Sequence, residues 1–215
     1  MKYKAIIFDL DGTLINSLED IADAMNRVLI DNDYPAHNYE SYNYFIGNGL
    51  RKLVTRALPE NKRNEEEIDR CYALMMDYYG ENCIQKTKPY TGIQALLDEL
   101  NLLNIPMNVL SNKSDVLTKK ITESIFPEYF NLIVGLTSEE FKKPNPFTAI
   151  QMSEQLNCTP SEIIFVGDSG IDMQTATQAG MYAVGVSWGY RPKDELFSEG
   201  AKFFLNEPSD LMELF

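Results

Sequence analysis

Two aspartates separated by a single residue, Asp9 and Asp11, are the side chains of this sequence best placed for chemistry. They follow a short apolar run, residues 4–8, and are followed by Gly12 and Thr13. Burying two carboxylates together is costly unless a cation or a proton offsets their repulsion. Gly12 permits a tight turn, and its neighbours can then offer backbone N–H groups to an anion. Because Asp-Gly is also common in solvated hairpin turns, a purely structural turn is the alternative.

Three further polar segments follow apolar runs later in the chain. Ser111 and Asn112 offer a hydroxyl and an amide to a phosphate, although either side chain could instead cap a helix. Lys143 precedes Pro144, which fixes the local backbone and could thereby direct the lysine side chain into a site. The alternative is a solvated surface charge, which is the more common role of a lysine. Asp168 directly follows an apolar run and a glycine, while Asp172 is equally explained as a charge at a helix N-terminus.

Together these segments supply four carboxylates, one lysine and one hydroxyl. Such a set suits a hard divalent cation, preferably Mg²⁺, with a phosphate completing its coordination shell. Hydrolysis of phosphate monoesters is among the slowest uncatalysed reactions and requires accelerations of up to ~10²¹. A single general acid or base contributes only about 10²–10⁴. A nucleophile, a metal ion and a positioned lysine acting together would supply the rate acceleration that proton transfer alone does not.

The hydrophobic pattern predicts the scaffold that positions these groups. Short apolar runs typical of buried parallel strands occupy residues 4–8, 107–110, 132–134, 163–166, 183–186 and 203–205. From about residue 90 they alternate with helix-length stretches, one of them preceded by the capping-box pattern of Thr91 and Gln94. This alternation predicts an α/β fold with a doubly wound, mostly parallel sheet and a Rossmann-like core. Ligands of such sheets bind beyond the carboxyl ends of the strands, where the polar segments lie.

An earlier part of the chain breaks this alternation. Apolar side chains recur at helical spacing after Ser17, which forms a start signal with Asp20, and further helices are predicted over 50–58 and 65–79. No segment of this part is typical of a strand. We therefore predict an inserted α-helical cap at residues 16–87 and a core formed by residues 1–15 and 88–215.

Composition narrows the function classes. The 19 basic and 32 acidic residues give a net charge of −13, which disfavours nucleic acid and anionic membranes as partners. No apolar run approaches the ~20 residues that a membrane span needs. Three cysteines without metal-site spacing favour a reduced, cytoplasmic chain. The lone histidine, His37, argues against a histidine-centred zinc site or a Ser-His-Asp triad.

The polar segments, taken in order, resemble the motifs of the haloacid dehalogenase-like phosphohydrolases, in the branch with a helical cap after the first strand. The resemblance covers nearly the whole chain. The four motifs are Asp9-x-Asp11-Gly12-Thr13, Ser111-Asn112, Lys143-Pro144, and Gly167-Asp168 with Asp172.

The resemblance implies catalytic roles for four residues. In the family the first aspartate attacks phosphorus, so Asp9 is the implied nucleophile and the site of an aspartyl-phosphate. Asp11 would protonate the leaving oxygen and later activate water. Ser111 would hydrogen-bond the phosphoryl oxygens, and Lys143 would neutralise charge between the phosphate and Asp9. An acid at Asp11 favours phosphate over halide chemistry, because a halide leaving group needs no proton.

The resemblance and the residue types also imply the groups that bind phosphate and metal. Gly12, Thr13 and Asn112 would add to the phosphate site. The implied Mg²⁺ ligands are Asp9, the main-chain carbonyl of Asp11, and Asp168. Asp172 would contact these ligands without binding the metal directly.

Substrate choice is predicted from two segments that resemble those of phosphoglycolate phosphatases, residues 45–58 and 186–191. N–H groups near Gly47 and Asn48 would bind an anion before a helix, and Arg51 would pair with a substrate carboxylate. The alternative is a plain turn followed by a solvated helix face.

These observations predict an Mg²⁺-dependent phosphatase that acts on a small, phosphoglycolate-like metabolite, as a monomer or a homodimer. The alternatives are a pyrophosphatase or nucleotidase on the same core, and a non-catalytic regulatory module that binds phosphate. Retention of both Asp9 and Asp11 favours an enzyme over a pure binder.

Overall fold

The computed structural model describes residues 2–215, and most of them lie in regular secondary structure. The strands are β1 (Ala5–Phe8), β2 (Ile15–Asn16), β3 (Lys88–Pro89), β4 (Met107–Ser114), β5 (Leu132–Leu136), β6 (Ile163–Gly167), β7 (Tyr182–Val186) and β8 (Phe203–Leu205). The α-helices are α1 (Leu18–Asp31), α2 (Tyr39–Phe45), α3 (Leu50–Ala57), α4 (Glu65–Asn82), α5 (Ile93–Leu102), α6 (Asp115–Ile125), α7 (Phe147–Gln155), α8 (Gly170–Ala179) and α9 (Lys193–Ser198). Short 3₁₀ helices cover Glu60–Lys62, Glu139–Phe141, Pro160–Glu162 and Pro208–Leu214.

Six strands form one parallel sheet in the order β5-β4-β1-β6-β7-β8. Numbered along the chain, this is the 3-2-1-4-5-6 order of doubly wound nucleotide-binding folds, so the predicted fold class is confirmed. β1 lies at the point where the order reverses, with Phe8 beside both Val109 and Val166. The residues that follow these three strands therefore meet at one end of the sheet.

The chain divides into two compact units. The first, which we call the sheet unit, comprises the described residues up to Ile15 together with Pro89–Phe215. Its core includes Ile7, Phe165 and Met173, which are buried completely. All four residues of β1 are buried, as expected for a central strand covered on both faces.

The second unit, Asn16–Lys88, is helical, and we call it the helical unit. The long helices α1 and α4 pack together through apolar faces that include Met25 of α1 and Met75 of α4. The structure adds three elements that the sequence did not predict: helix α2, and the two-residue strands β2 and β3, which pair with each other.

The predicted start of α1 after Ser17 is confirmed, but neither predicted start pattern forms its capping hydrogen bonds. Ser17 occupies the N-cap of α1 but makes no capping hydrogen bond through its side chain. Asp20 instead turns to the end of the helical unit and accepts hydrogen bonds from the N–H groups of Lys86 and Thr87. The box predicted from residues 91 and 94 is also absent, because α5 follows Gly92, whose φ of 89° turns the chain without a side-chain cap.

Among the described residues, no helix combines the length and apolar character required to cross a membrane.

Candidate active site

The loop after β1 holds the first motif in a tight turn. The N–H of Asp9 donates to the carbonyl of Val166 at 2.9 Å and extends the pairing of β1 with β6. The chain then turns at Gly12, whose φ is 88°. A Cβ atom on Gly12 would lie 2.3 Å from Asp168 Oδ2, so a larger residue would clash with this carboxylate. The glycine thus serves both the turn and the close approach of Asp168.

Lys143 lies between two of the predicted site carboxylates. Its Nζ is 2.9 Å from Asp9 Oδ1 and 2.7 Å from Asp172 Oδ1, and it also donates to the carbonyl of Leu110 at 3.0 Å. Asp172 is held in turn by Ser169, whose N–H and hydroxyl both donate to Asp172 Oδ2 at the start of α8. Asp172 therefore caps its helix and anchors the lysine at the same time.

Asn112 positions the backbone of Lys143. Its side-chain oxygen accepts the N–H of Lys143 at 2.8 Å, and its side-chain NH₂ donates to the carbonyl of Lys143 at 3.1 Å. This two-point contact fixes the start of the lysine side chain. The contact of Asn112 with phosphate, expected from the sequence, stays a prediction.

Asp168 is buried against the segment that follows β7. The N–H of Tyr190 donates to Asp168 Oδ2 at 2.8 Å. A Cβ atom on Gly189 would lie 2.2 Å from the Cβ of Asp168, so only glycine fits here. Trp188 donates through its indole N–H to the carbonyl of Thr13 at 3.0 Å. The segment singled out in the sequence, residues 186–191, thus packs against the loop that carries Asp9.

Two buried hydroxyls accompany these charges. Ser111 is buried, and its Oγ accepts the N–H of Lys113 at 3.2 Å. In this contact the hydroxyl acts only as an acceptor, so its O–H can donate to another group. Thr13 is fully buried, and its hydroxyl has no hydrogen-bond partner among the described residues. A buried hydroxyl without a partner is unfavourable, so a bound oxyanion would relieve the cost.

The acidic residues fit a divalent cation. Asp9, Asp168 and Asp172 each offer an oxygen within 4.8 Å of the others. Burial, and then the charge of Asp172, raise the pKa of Asp9 to about 7; the same causes raise that of Asp168 well above its usual range. Although burial opposes it, the charges of Asp172 and Asp9 raise the pKa of Lys143, which stays protonated. When ionised, these three carboxylates outnumber the one ammonium of Lys143, and Mg²⁺ would balance the excess negative charge through oxygen ligands.

The sequence analysis overlooked Lys113. Its Nζ lies 2.6 Å from Asp11 Oδ1, and its side chain is only 2 % exposed. A signal for it was present, because Ser111 and Lys113 lie two positions apart on β4 and side chains alternate along a strand. A lysine on the same strand face as a candidate phosphate ligand is a candidate site residue too.

The substrate residues predicted in the segment 45–58 belong to the helical unit. Gly47 has a φ of 106°, and Asn48 follows it before α3 begins at Leu50. Arg51 pairs with two carboxylates of α4, at 2.6 Å from Glu65 and 2.7 Å from Asp69. A contact between Arg51 and a substrate carboxylate stays a prediction, and it would require the arginine to exchange or share these partners.

Comparison with known proteins places the chain in a family. The model of the haloacid dehalogenase-like hydrolases matches residues 6–186. The chain belongs to this family. The family and the enzyme class that the sequence resembles, a haloacid dehalogenase-like hydrolase of the phosphoglycolate phosphatase-like type, are thereby confirmed.

Individual relatives cover the chain almost completely. A phosphoglycolate phosphatase from Aquifex aeolicus is 34 % identical over 212 residues, which span 98 % of this chain and 96 % of that protein. One from Chromobacterium violaceum is 32 % identical with the same coverage of each. The crystal structure of a predicted phosphoglycolate phosphatase from Haemophilus somnus superposes on the present chain with a TM-score of 0.91. The two sequences are 28 % identical, and the superposition covers 100 % of this chain and 98 % of the other.

Proposed function

We propose that this protein is an Mg²⁺-dependent phosphatase that hydrolyses a small anionic phosphomonoester through an aspartyl-phosphate on Asp9. The observation that carries the proposal is the buried contact of Asp9 with Lys143 at the end of the central strand, beside two further carboxylates. A nucleophile paired with a fixed cation suits attack on a phosphoryl group, because the cation offsets the repulsion between two anions.

The reaction has two halves. First, a carboxylate oxygen of Asp9 attacks phosphorus and the bond from phosphorus to the leaving oxygen breaks, while Asp11 gives that oxygen a proton. A water molecule then attacks the phosphorus of the aspartyl-phosphate, and Asp11 accepts the proton of the water. Inorganic phosphate leaves, and the carboxylate of Asp9 is restored.

Each remaining site residue has a role that follows from its contacts. Lys143 would hold Asp9 in place and share its charge with the phosphoryl oxygens, while the hydroxyls of Ser111 and Thr13 would hydrogen-bond those oxygens. Bound Mg²⁺, held by Asp9, Asp168 and the main-chain carbonyl of Asp11, would neutralise charge on the phosphate. The burial of these groups would keep bulk water away from the intermediate.

For the substrate we propose phosphoglycolate or a similarly small phosphorylated acid. Support comes from the relatives, which are phosphoglycolate phosphatases. The segment around Gly47, Asn48 and Arg51 also offers N–H groups and a guanidinium to a carboxylate. We place the protein in a reducing cytoplasm, in keeping with its three free cysteines.

Phosphate release is the direct test. We expect Mg²⁺-dependent release from phosphoglycolate and from p-nitrophenyl phosphate, and none from the Asp9→Asn variant. Pyrophosphate and nucleoside monophosphates belong in the same panel, and preferential turnover of either would assign the protein to one of those substrate classes. A folded, Mg²⁺-loaded protein that releases no phosphate from any of them would be the non-catalytic phosphate-binding module.

A further inference from the structure

In the sheet unit, each aspartate of the first motif pairs with a buried lysine of its own. Lys143 contacts Asp9, and Lys113 contacts Asp11 Oδ1 at 2.6 Å. The two lysines are equally buried, with side chains 3 % and 2 % exposed. Burying an ammonium group costs several kcal/mol unless its partner is well placed. The second pair therefore needs a reason of its own, because neither the motif nor the proposed reaction includes Lys113.

The backbone of Lys113 is fixed on both sides. Its N–H donates to Ser111 Oγ at 3.2 Å, and its carbonyl accepts the hydroxyl of Thr118, on α6, at 3.1 Å. The lysine thus leaves a rigid strand end whose neighbour is the proposed phosphate ligand. A movement of Lys113 would therefore change its contacts with both Ser111 and Asp11.

Asp11 is the more exposed member of its pair with Lys113. It lies in the turn after β1, and its side chain is 13 % exposed, whereas that of Lys113 is nearly inaccessible. A carboxylate in a turn can rotate about its side-chain bonds, and proton transfer is efficient only when donor and acceptor stay within hydrogen-bond reach. The contact with Lys113 restricts that rotation.

We propose that Lys113 is a positioning residue that holds the carboxylate of Asp11 in the orientation needed for proton transfer. This inference rests on the proposed function. Lys113 transfers no proton itself and acts only through Asp11. Its loss should therefore affect substrates according to how much their leaving oxygen needs a proton.

The test is the dependence of kcat/KM on the leaving group. This ratio reports the first half of the reaction, in which Asp11 protonates the leaving oxygen. We would measure it for Lys113→Met with phosphoglycolate and with a series of aryl phosphates of increasing phenol pKa. Lys119→Met is the matched control, because Lys119 forms an exposed pair with Asp115 on the helix that follows the same strand.

We expect Lys113→Met to lower kcat/KM for phosphoglycolate by roughly ten- to a hundred-fold, and for p-nitrophenyl phosphate by less than about threefold. The control should leave both unchanged. In an Asp11→Asn background, which already lacks the proton donor, Lys113→Met should not steepen the leaving-group dependence further. Circular dichroism and thermal unfolding establish that each variant is folded.

A parallel loss across the whole series would give Lys113 a merely structural role and overturn the inference. An added effect in the Asp11→Asn background would overturn it as well. If Lys113→Met does not fold, Lys113→Arg applies the same test, because arginine keeps the charge but places its nitrogens differently. Failure of the proposed function is distinguished at the outset, since the wild type would then release no phosphate.

Discussion

At the scale of single residues, the site contains more carboxylates than the ammonium of Lys143 can balance. Asp9, Asp168 and Asp172 lie close together, and Lys143 pairs with Asp9 and Asp172, so one ammonium offsets the repulsion among three carboxylates only in part. Ionisation of Asp9 is disfavoured in the fold, where its pKa is about 7 against an ordinary value of 3.8. Its proton therefore stabilises the folded state at low pH, and this contribution is lost as the pH rises through about 7.

Asp9→Asn should accordingly separate activity from stability. Turnover should fall by at least about 10³-fold, because the nucleophile is gone. In EDTA at pH 8 the variant should be more stable than the wild type, by roughly 1–4 kcal/mol. At pH 5 the difference should shrink, since wild-type Asp9 is then protonated. Thermal unfolding at the two pH values measures this, with the exposed Glu123→Gln as a control. A variant less stable than the wild type at pH 8 would contradict the argument.

The sequence predicts which residues lie at the edge of the sheet, but it does not predict where their side chains point. Asp9 and Asp168 follow the neighbouring strands β1 and β6, and Lys143 lies in the segment after β5. The alternating pattern predicts a parallel sheet, and the carboxyl ends of parallel strands meet at one edge. The partners of Lys113 and Asn112 were not predicted. Both depend on where a side chain points across the sheet edge, and spacing along the chain does not determine that.

At the scale of elements, the pairing of α3 with α4 bears on substrate choice. Arg51 is 39 % exposed and pairs with Glu65 and Asp69 of α4. If it binds a substrate carboxylate, Arg51→Ala should lower kcat/KM for phosphoglycolate about ten- to a hundred-fold, the equivalent of a charge-assisted hydrogen bond of about 1.5–3 kcal/mol. Turnover of p-nitrophenyl phosphate, which has no carboxylate, should change little.

The control for this prediction is Arg27→Ala, which removes a similarly exposed pair with Asp31 from α1. It should leave kcat/KM for both substrates unchanged. Equal losses for the two substrates in Arg51→Ala would make the arginine a structural link between helices, and would leave the core mechanism untouched.

The start of α4 should be sensitive to acid. Hydrogen bonds from Arg70 and then Tyr34 lower the pKa of Glu67 to about 2, against an ordinary value of 4.5. This stabilisation is present above about pH 4.5 and is lost as the pH falls toward 2. Glu67→Gln should therefore reduce the free energy of unfolding at pH 6, and the deficit should narrow at pH 4.

Urea unfolding at both pH values measures the effect, and Glu66→Gln, at the exposed neighbouring position, is the matched control. A deficit of the same size at both pH values would mean that Glu67 stabilises the helix through packing rather than charge.

Helices were easier to predict than their ends. The apolar spacing of α1, α3 and α4 is a property of consecutive residues, whereas the contacts at their starts are not. Asp20 binds Lys86 and Thr87, which lie more than sixty residues later in the chain. A local start pattern is thus overridden by a distant donor, and β3, which follows those donors, was missed for the same reason.

At the scale of the whole molecule, every residue proposed to hold Mg²⁺ belongs to the sheet unit. Mg²⁺ at about 100 times its Kd would stabilise the bound state by about 2.7 kcal/mol, which slows local opening about a hundred-fold. We expect hydrogen exchange to slow in residues 9–13 and 167–172, and to stay unchanged in α1 and α4. Asp168→Asn should abolish this protection. Equal protection of both units would indicate that metal binding acts on the chain as a whole.

The central place of β1 has a consequence for how the protein is made. β1 leaves the ribosome before its neighbours in the sheet, β4 and β6, which are translated after the whole helical unit. At about 5–20 residues per second, the nascent strand waits roughly ten to thirty seconds for β6. The helical unit is continuous in sequence, so all of it has been translated before β4 emerges. The edge of β1 that pairs with β6 stays open to wrong partners throughout that time. Asp9, at the end of β1, is thus translated long before β6, the strand that completes its surroundings.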